Sequence, residues 1–264
     1  QMCIRDSSIP IQTDDQVIPG IGEEVSYVLV EFACSKDSRL SSDRYARHNG
    51  KLVVRIRLTE EHDMTSEKGL QYALSKVEPF VGKVPVFLFG SLPCTLGSPW
   101  QQLNKRNKGW PARSKYLRHQ FIALHDNFMT LAMHIAAHKD GNICYEWRSQ
   151  CTLWRDPRVI RMITKFKMDM VAINGCMLGL KSSRGNPIKK PWTLRSSFPE
   201  LIKVFSENCL CDKSHAHDLA AGCETAKTSY YPRLMTDKIH HAMKVYIAYR
   251  TLSLIHISEP TRLV

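Results

Sequence analysis

Short, almost continuous apolar runs alternate with stretches of helical spacing along this chain, and this alternation is what most constrains its fold. The runs cover residues 27–32, 52–56, 84–90 and 142–145. Runs this short are typical of strands that are covered on both faces of a sheet. The intervening segments predict helices, one after the start signal Thr65-Ser66 and one over residues 116–137. We therefore expect an α/β fold with a doubly wound, mostly parallel sheet.

Two further helix starts are visible later in the chain. Asp156-Pro157 places a capping residue before a proline at the first helical position, and Pro199-Glu200 follows Ser197 in a similar pattern. Apolar periodicity is then weak from about Cys209 to Ile239. We expect a main domain over residues 27–195, preceded by a linker or truncated segment over 8–26. A small helical appendage that contains Cys and His follows over 196–251.

The charge balance favours a polyanionic partner. The 264 residues include 37 Lys+Arg against 25 Asp+Glu, which gives a net charge of +12. Such a charge favours nucleic acid, with an anionic membrane surface as the weaker alternative. No apolar run approaches the roughly 20 residues that span a membrane, so we expect a soluble protein without a membrane partner. Two basic clusters are the predicted nucleic-acid contacts: Lys105, Arg106, Lys108, Arg113 and Lys115 form the first, and Lys189, Lys190 and Arg195 form the second.

Nine cysteines are too sparse for a disulfide scaffold in a chain of this length. We therefore expect a reducing compartment, the nucleus or the cytoplasm. Cys209, Cys211, His215 and His217 are dense enough to suggest zinc, but their one-residue spacing differs from the usual Cys-x-x-Cys pattern. We predict no metal site, although these residues would share faces in a strand and a site there is geometrically possible.

Ligands of open α/β sheets bind beyond the carboxyl ends of the strands, which directs attention to the residues that follow each apolar run. Glu31 and Ser38 follow the first run, Cys94 follows the third, and Glu146 follows the fourth. A cysteine and a glutamate at the ends of different strands suit a nucleophile and an acid that act on one substrate.

The Pro93-Cys94 pair resembles the Pro-Cys nucleophile motif of cytosine-C5 DNA methyltransferases, and Glu146 resembles the glutamate of their Glu-Asn-Val motif. The resemblance is to divergent forms found in algal retroelement polyproteins and viruses. It implies a Rossmann-like, S-adenosylmethionine-dependent domain that flips cytosine out of DNA. Cys94 would then be the nucleophile beside Pro93, and Glu146 would contact N3 of the base.

For the cofactor, the resemblance implies contacts from Glu31, Ser38, Asp63 and Ser91. The chain departs from the family pattern because no glycine-rich turn follows Glu31, and no Asn-Val follows Glu146. Two other interpretations therefore stay open: a catalytically inactive nucleic-acid-binding domain of a mobile-element polyprotein, and an RNA methyltransferase.

Both ends of the chain resemble translated sequencing adapters. Residues 1–7 resemble a transposase mosaic end, and residues 252–264 resemble its reverse complement followed by the opposite adapter. We expect the natural sequence to be an interior, metagenomic piece of a longer reading frame. Two arginines and two acidic residues cancel within the flanks, so the excess positive charge belongs to the piece between them.

Overall fold

The computed structural model describes residues 22–207, 209–211, 214–220, 225 and 228–258. The adapter-like residues 1–7, residues 8–21 of the expected N-terminal linker, and residues 259–264 lie outside this described part.

Within the described residues, seven strands form one mixed sheet in the order β2-β3-β1-β4-β5-β7-β6. The strands are β1 (Val25–Phe32), β2 (Arg47–His48), β3 (Lys51–Leu58), β4 (Val86–Gly90), β5 (Gly141–Arg148), β6 (Asp169–Asn174) and β7 (Pro191–Ser196). Strands β3, β1, β4 and β5 pair in parallel, whereas β7 runs antiparallel to both β5 and β6. The expected α/β fold with a mostly parallel, Rossmann-like sheet is confirmed.

The helix starts predicted after Ser66, at Pro157 and at Pro199 are confirmed, whereas the helix predicted over 116–137 begins earlier, at Trp110. The described residues contain six α-helices. They are α1 (Glu67–Val77), α2 (Gln101–Asn104), α3 (Trp110–Ala136), α4 (Pro157–Lys165), α5 (Pro199–Ser206) and α6 (Arg233–Ser258). The Ser66 hydroxyl accepts a hydrogen bond from the Gly69 amide at 3.0 Å, and the Asp156 carboxylate accepts one from the Arg158 amide at 3.0 Å. These bonds satisfy amides that a helix start leaves without partners. No helix in the described part of the chain combines the length and apolar character that crossing a membrane requires.

Both faces of the sheet are buried. Along β1, Val28 and Val30 pack into a core with α1, α3 and α4, while Tyr27 and Leu29 pack into a second core with α5 and α6. Because successive side chains of a strand point to opposite faces, a strand buried on both sides has to be apolar throughout. This requirement explains the continuous apolar runs.

Helix α6 covers the second face of the sheet. Met235, Ile239 and Met243 are buried there. The adjacent His240 ring is hydrogen-bonded on both sides, with Nε2 donating to the Leu40 carbonyl at 2.7 Å and Nδ1 accepting from the Tyr27 hydroxyl at 2.8 Å. The segment after residue 195 therefore supplies a helical layer of the fold.

The order of the strands creates a crevice at one edge of the sheet. The chain passes from β1 to β3 on one side and then crosses to β4 on the other side of β1. Helices that leave neighbouring strands in opposite directions open a space beyond the carboxyl ends of those strands. In this protein the space lies beyond β1 and β4.

Candidate active site

A cavity of about 790 Å³ lies beyond the carboxyl ends of β1, β4 and β5. Its volume is within the range of small-molecule and cofactor sites. The cavity brings together the residues that the sequence predicted for catalysis together with most of those predicted for the cofactor: Glu31, Ser38, Ser91, Pro93, Cys94 and Glu146. It also contains Lys190 of the second basic cluster. Side chains separated by more than a hundred residues thus face a single space.

The register of the sheet explains why the loop after β4 meets β5. Gly90 pairs with Tyr145, so the next residues of each strand, Ser91 and Glu146, are neighbours. The Ser91 hydroxyl donates to Glu146 Oε2 at 2.8 Å. The indole of Trp147 donates to the Leu92 carbonyl at 2.6 Å, which fixes the loop immediately before Cys94.

Cys94 begins a short 3-10 turn over Thr95–Gly97, and its carbonyl accepts from the Gly97 amide at 3.0 Å. A side chain at position 97 would place Cβ 2.6 Å from Cys151 Sγ, so glycine permits the close packing that holds this turn. The Cys94 thiol is half-buried. The 3-10 turn and its packing against Cys151 fix the position of this thiol.

The electrostatic surroundings of Cys94 oppose its ionisation. Burial is the main cause that raises the pKa of this thiol above its ordinary value, and the carboxylate of Glu146 raises it further. The nearby positive charges of Arg148 and Lys190 lower the pKa. A thiolate at this position consequently depends on these cations or on a bound ligand for its stability.

Glu146 is buried at the end of β5, and one of its carboxylate oxygens is held firmly. Oε2 accepts hydrogen bonds from Ser91 and from the Tyr231 hydroxyl, the latter at 2.7 Å. Burial raises the pKa of Glu146, while the two hydroxyl donors and Lys190 lower it. A buried carboxyl group with a raised pKa is suited to carry a proton and to donate it in a hydrogen bond.

Glu31 is buried at the end of β1 with one oxygen satisfied. Oε1 accepts from the Ser38 hydroxyl at 2.7 Å, whereas Oε2 has no hydrogen-bond partner among the described residues. Burial raises the pKa of Glu31, and Ser38, Ser41 and Arg57 lower it. Because a buried polar atom without a partner is unfavourable, this oxygen is suited to accept from a ligand's donor group.

The turn after Glu31 forms without glycine. Ala33 has a φ of 59°, in the left-handed region that glycine usually occupies. The loop continues through Ser35 and Ser38, which both line the cavity. The missing glycine of the sequence motif therefore does not prevent a tight turn at this point.

Lys190, which the sequence predicted as a nucleic-acid contact, lines the cavity. Its Nζ donates to the Thr228 carbonyl and lies 5.0 Å from the centre of the Trp192 ring. Burial lowers the pKa of Lys190, and Glu146 raises it. Arg148 also lines the cavity, and its buried Nε has no partner among the described residues. The cavity therefore contains positive charge close to Cys94.

The other predicted residues lie elsewhere. Asp63 ends a 3-10 turn before α1, where its carboxylate accepts from Thr65 at 2.5 Å, and it does not line the cavity. Arg195 lies on β7 and donates to the Met168 carbonyl at 3.4 Å. Lys189 is half-buried beside Lys190. The first basic cluster is exposed throughout; it comprises Lys105, Arg106, Lys108, Arg113 and Lys115.

This exposed basic cluster starts at the mouth of the cavity. Trp100 and Gln101 line the cavity, and Lys105 follows directly after α2. Trp100 is 60% exposed, and Tyr116 is 53% exposed with the Arg113 guanidinium 5.3 Å from the centre of its ring. Cationic and aromatic side chains therefore share one accessible surface next to the candidate site.

Four residues were weighed from the sequence as zinc ligands, and the structure brings three of them together: Cys211, His215 and His217. Cys209 is buried in the second core instead, where its thiol contacts the Glu207 carbonyl at 3.3 Å. Cys176 takes its place in the cluster.

Sequence reasoning missed three residues of these sites. Tyr231 supplies a hydrogen bond to Glu146 from 85 residues away, and the sequence reasoning gave it no role. Arg148 lies two residues after Glu146 on β5, and the two-residue period of a strand could have identified it. Cys176 lies in a 3-10 turn after β6, a strand that the sequence analysis did not predict.

Comparisons of the chain with protein-family models, with curated proteins and with solved structures found no match.

Proposed function

We propose that this protein transfers a methyl group from S-adenosylmethionine to C5 of cytosine in DNA, with Cys94 as the nucleophile. The observation that carries the proposal is the convergence of Cys94 and Glu146 on one cavity at the ends of neighbouring strands. This reaction requires both groups, because C5 of cytosine is a poor nucleophile until a thiolate adds to the ring.

In the proposed reaction, the Cys94 thiolate forms a bond to C6 of the base. Electron density moves toward C5 and N3, so C5 could attack the methyl group of a bound cofactor. The S–CH3 bond would break and its electron pair would stay on sulfur, leaving S-adenosylhomocysteine. A base then removes the C5 proton, and the pair of electrons that held it expels the Cys94 thiolate and restores the ring. Arg148 and Lys190, which favour the thiolate, assist both the addition and the departure of Cys94.

Glu146 would donate a hydrogen bond to N3 of the base. Its raised pKa makes it easier for the carboxylate of the free protein to take up a proton when the base binds, and Ser91 and Tyr231 fix the orientation of the group. A donor held in place before the reaction stabilises the charge that develops at N3 without reorganisation.

The cofactor supplies an electrophilic methyl group on a sulfonium when it is bound. Glu31 fits such a ligand because its unpartnered Oε2 is a buried acceptor, and both an ammonium group and ribose hydroxyls are donors. Ser38 holds the other oxygen of Glu31 and thus orients the carboxylate. Ser91 contributes by fixing Glu146 at the opposite side of the cavity.

The substrate base would leave the duplex to reach Cys94, at a cost of a few kcal/mol that contacts in the pocket offset. The exposed basic cluster provides contacts to phosphates, which strengthen binding largely independently of sequence. A nucleic-acid substrate places the proposed activity inside the cell, in the nucleus or the cytoplasm. RNA is the alternative polymer, and the same assay with RNA substrates distinguishes it.

One observation favours a second function, nucleic-acid binding without catalysis. Tyr231 and Ser91 already occupy one oxygen of Glu146, and burial disfavours the Cys94 thiolate. In this alternative the domain binds the polymer through its basic surface and transfers no methyl group.

The experiment is to incubate the protein with duplex DNA and S-adenosylmethionine that carries a labelled methyl group, and then to analyse the nucleosides. Methyl transfer predicts labelled 5-methylcytosine that Cys94→Ser abolishes and Glu146→Gln strongly reduces, with both variants still folded. DNA binding without labelled 5-methylcytosine would overturn the proposal and support the non-catalytic alternative. Labelled RNA without labelled DNA would identify the polymer as RNA.

A further inference from the structure

Two cysteines and two histidines form a compact cluster away from the cavity. Cys176 lies in the 3-10 turn Gly175–Leu178 after β6, and Cys211, His215 and His217 lie in the loop after α5. Their ligand atoms all lie within 4.8 Å of one another. All four side chains are half-buried, which shields a bound ion partly from water.

The spacing of these atoms suits tetrahedral zinc. Cys211 Sγ is 3.4 Å from His217 Nε2 and 3.9 Å from His215 Nε2. Zinc binds sulfur at about 2.3 Å and nitrogen at about 2.0–2.1 Å, so a tetrahedral site separates its sulfur and nitrogen ligands by about 3.6 Å. The two sulfur–nitrogen separations lie on either side of this value, and the four ligand atoms are close enough together to converge on one ion.

Asn174, a buried residue at the end of β6, brings the two cysteines together. Its backbone N–H donates to the Cys209 carbonyl at 2.8 Å, and its side-chain Oδ1 accepts from the backbone N–H of Cys211 at 2.9 Å. Cys176 follows Asn174 by two residues. The loop after α5 is thus joined to the turn that carries the first ligand.

The far end of the same loop is fixed at Asp218. The Asp218 amide donates to the Pro187 carbonyl at 2.9 Å, and its carboxylate accepts from the Arg184 guanidinium at 2.8 Å. His215 and His217 lie between these two attachments. The backbone therefore holds three of the four ligands on a short segment that is anchored at both ends.

Cys209 packs into the second core, but the two leucines of this loop are exposed. Leu210 and Leu219 are 62% and 84% exposed. A segment that buries few apolar side chains needs another source of order, and a four-ligand metal ion is one that small structural sites use.

We propose that Cys176, Cys211, His215 and His217 bind one Zn²⁺ as a structural site. Two thiolates balance the charge of the ion, and two imidazoles complete a set that is typical of zinc. Binding displaces the thiol protons, and four protein ligands leave no open position for substrate. The ion would take no part in the chemistry of the proposed methyl transfer.

The position of the site suggests what it stabilises. The loop leads into the segment of Thr228 and Tyr231, which forms one wall of the cavity and places a hydroxyl on Glu146. A metal ion that fixes the loop would fix this wall as well.

The test measures metal content and cobalt spectra on the purified full chain. We expect one zinc per chain, and we expect Co²⁺ to give the intense visible bands of a tetrahedral site together with thiolate charge-transfer absorption. Cys176→Ser and Cys211→Ser should each reduce bound zinc at least tenfold. Cys209→Ala is the matched control, because it removes a thiol two residues from Cys211 and should keep full stoichiometry.

His217→Cys keeps the inference testable if a ligand deletion prevents folding. A Cys3His set still binds zinc, so this variant should fold, retain one metal ion and show stronger thiolate absorption with cobalt. The inference is overturned if the wild-type chain binds no zinc when the metal is supplied. It is also overturned if Cys176→Ser binds zinc as tightly as the wild type, or if mass spectrometry finds a Cys176–Cys211 disulfide in place of the metal.

Discussion

Lowering the pH should destabilise this protein through His240, a buried histidine that joins α6 to the sheet. The pKa of His240 is lowered from 6.5 to about 4, mainly by burial and in addition by the positive charges of Lys244 and Arg55. Because Nε2 donates to the Leu40 carbonyl, Nδ1 has to accept from the Tyr27 hydroxyl. Protonation of Nδ1 removes that acceptor and buries a charge.

The magnitude follows from the difference between folded and unfolded chains. The unfolded chain takes up the proton below about pH 6.5, whereas the folded protein takes it up only below about pH 4. The contribution of His240 to stability is therefore complete above pH 6.5 and is lost as the pH falls through this window. Each pKa unit corresponds to about 1.4 kcal/mol, so the loss is roughly 3 kcal/mol. Such a loss lowers the Tm by roughly 6–12 °C in a chain of this size.

The assay is thermal unfolding from pH 7 to pH 4 for the wild type and for His240→Gln. We expect the variant to be less stable at pH 7 and the difference from the wild type to shrink by roughly 3 kcal/mol at pH 4. Other buried groups titrate equally in both proteins and cancel in this comparison. His119→Gln, which alters an exposed histidine, should leave the pH dependence unchanged. A difference between wild type and His240→Gln that stays constant from pH 7 to pH 4 would refute the reasoning.

Three further predictions concern the cavity and the basic surface. Because burial raises the pKa of Glu31, its ionised carboxylate destabilises the folded protein as the pH rises above about 4.5. Calorimetry should therefore show that Glu31→Gln raises the Tm by a few degrees at pH 7 and by less at pH 4, and a lower Tm at pH 7 would contradict this. The negative charge of Glu146 raises the pKa of Cys94, so Glu146→Gln should increase the rate of Cys94 alkylation at pH 7.5 severalfold. Peptide mass spectrometry measures this rate, and an unchanged or slower rate would count against the electrostatic effect of Glu146. Replacing both Lys105 and Lys108 by Gln should reduce the slope of log affinity for duplex DNA against log salt concentration by about 1.8, because each phosphate contact contributes about 0.9. An unchanged slope would show that these lysines do not contact DNA.

The central part of the sheet could be predicted from the sequence because its strands are buried on both faces. The apolar runs of β1, β3, β4 and β5 follow directly from that burial. Strand β6 was not predicted because it lies at the edge of the sheet and begins with the exposed residues Asp169 and Met170, which interrupt the apolar pattern. Tertiary position outweighed local composition in this case.

The candidate site was partly predictable for a similar reason. Cys94 follows β4, Glu146 lies near the end of β5, and these strands are parallel neighbours, so the approach of the two residues follows from the general rule about strand ends. Tyr231 and Cys176 reach their partners through the packing of α6 and through the link between Asn174 and Cys211. Such long-range contacts depend on the complete fold and leave no local pattern in the sequence.

Covalent trapping of Cys94 tests the proposed function most directly. A DNA duplex that contains 5-fluorocytosine, incubated with the protein and S-adenosylmethionine, should form a stable adduct because fluorine at C5 cannot leave as a proton does. Denaturing electrophoresis and peptide mass spectrometry should place the adduct on Cys94, and Cys94→Ala should abolish it. The absence of an adduct with a folded, DNA-bound protein, or an adduct on a different cysteine, would contradict the proposal.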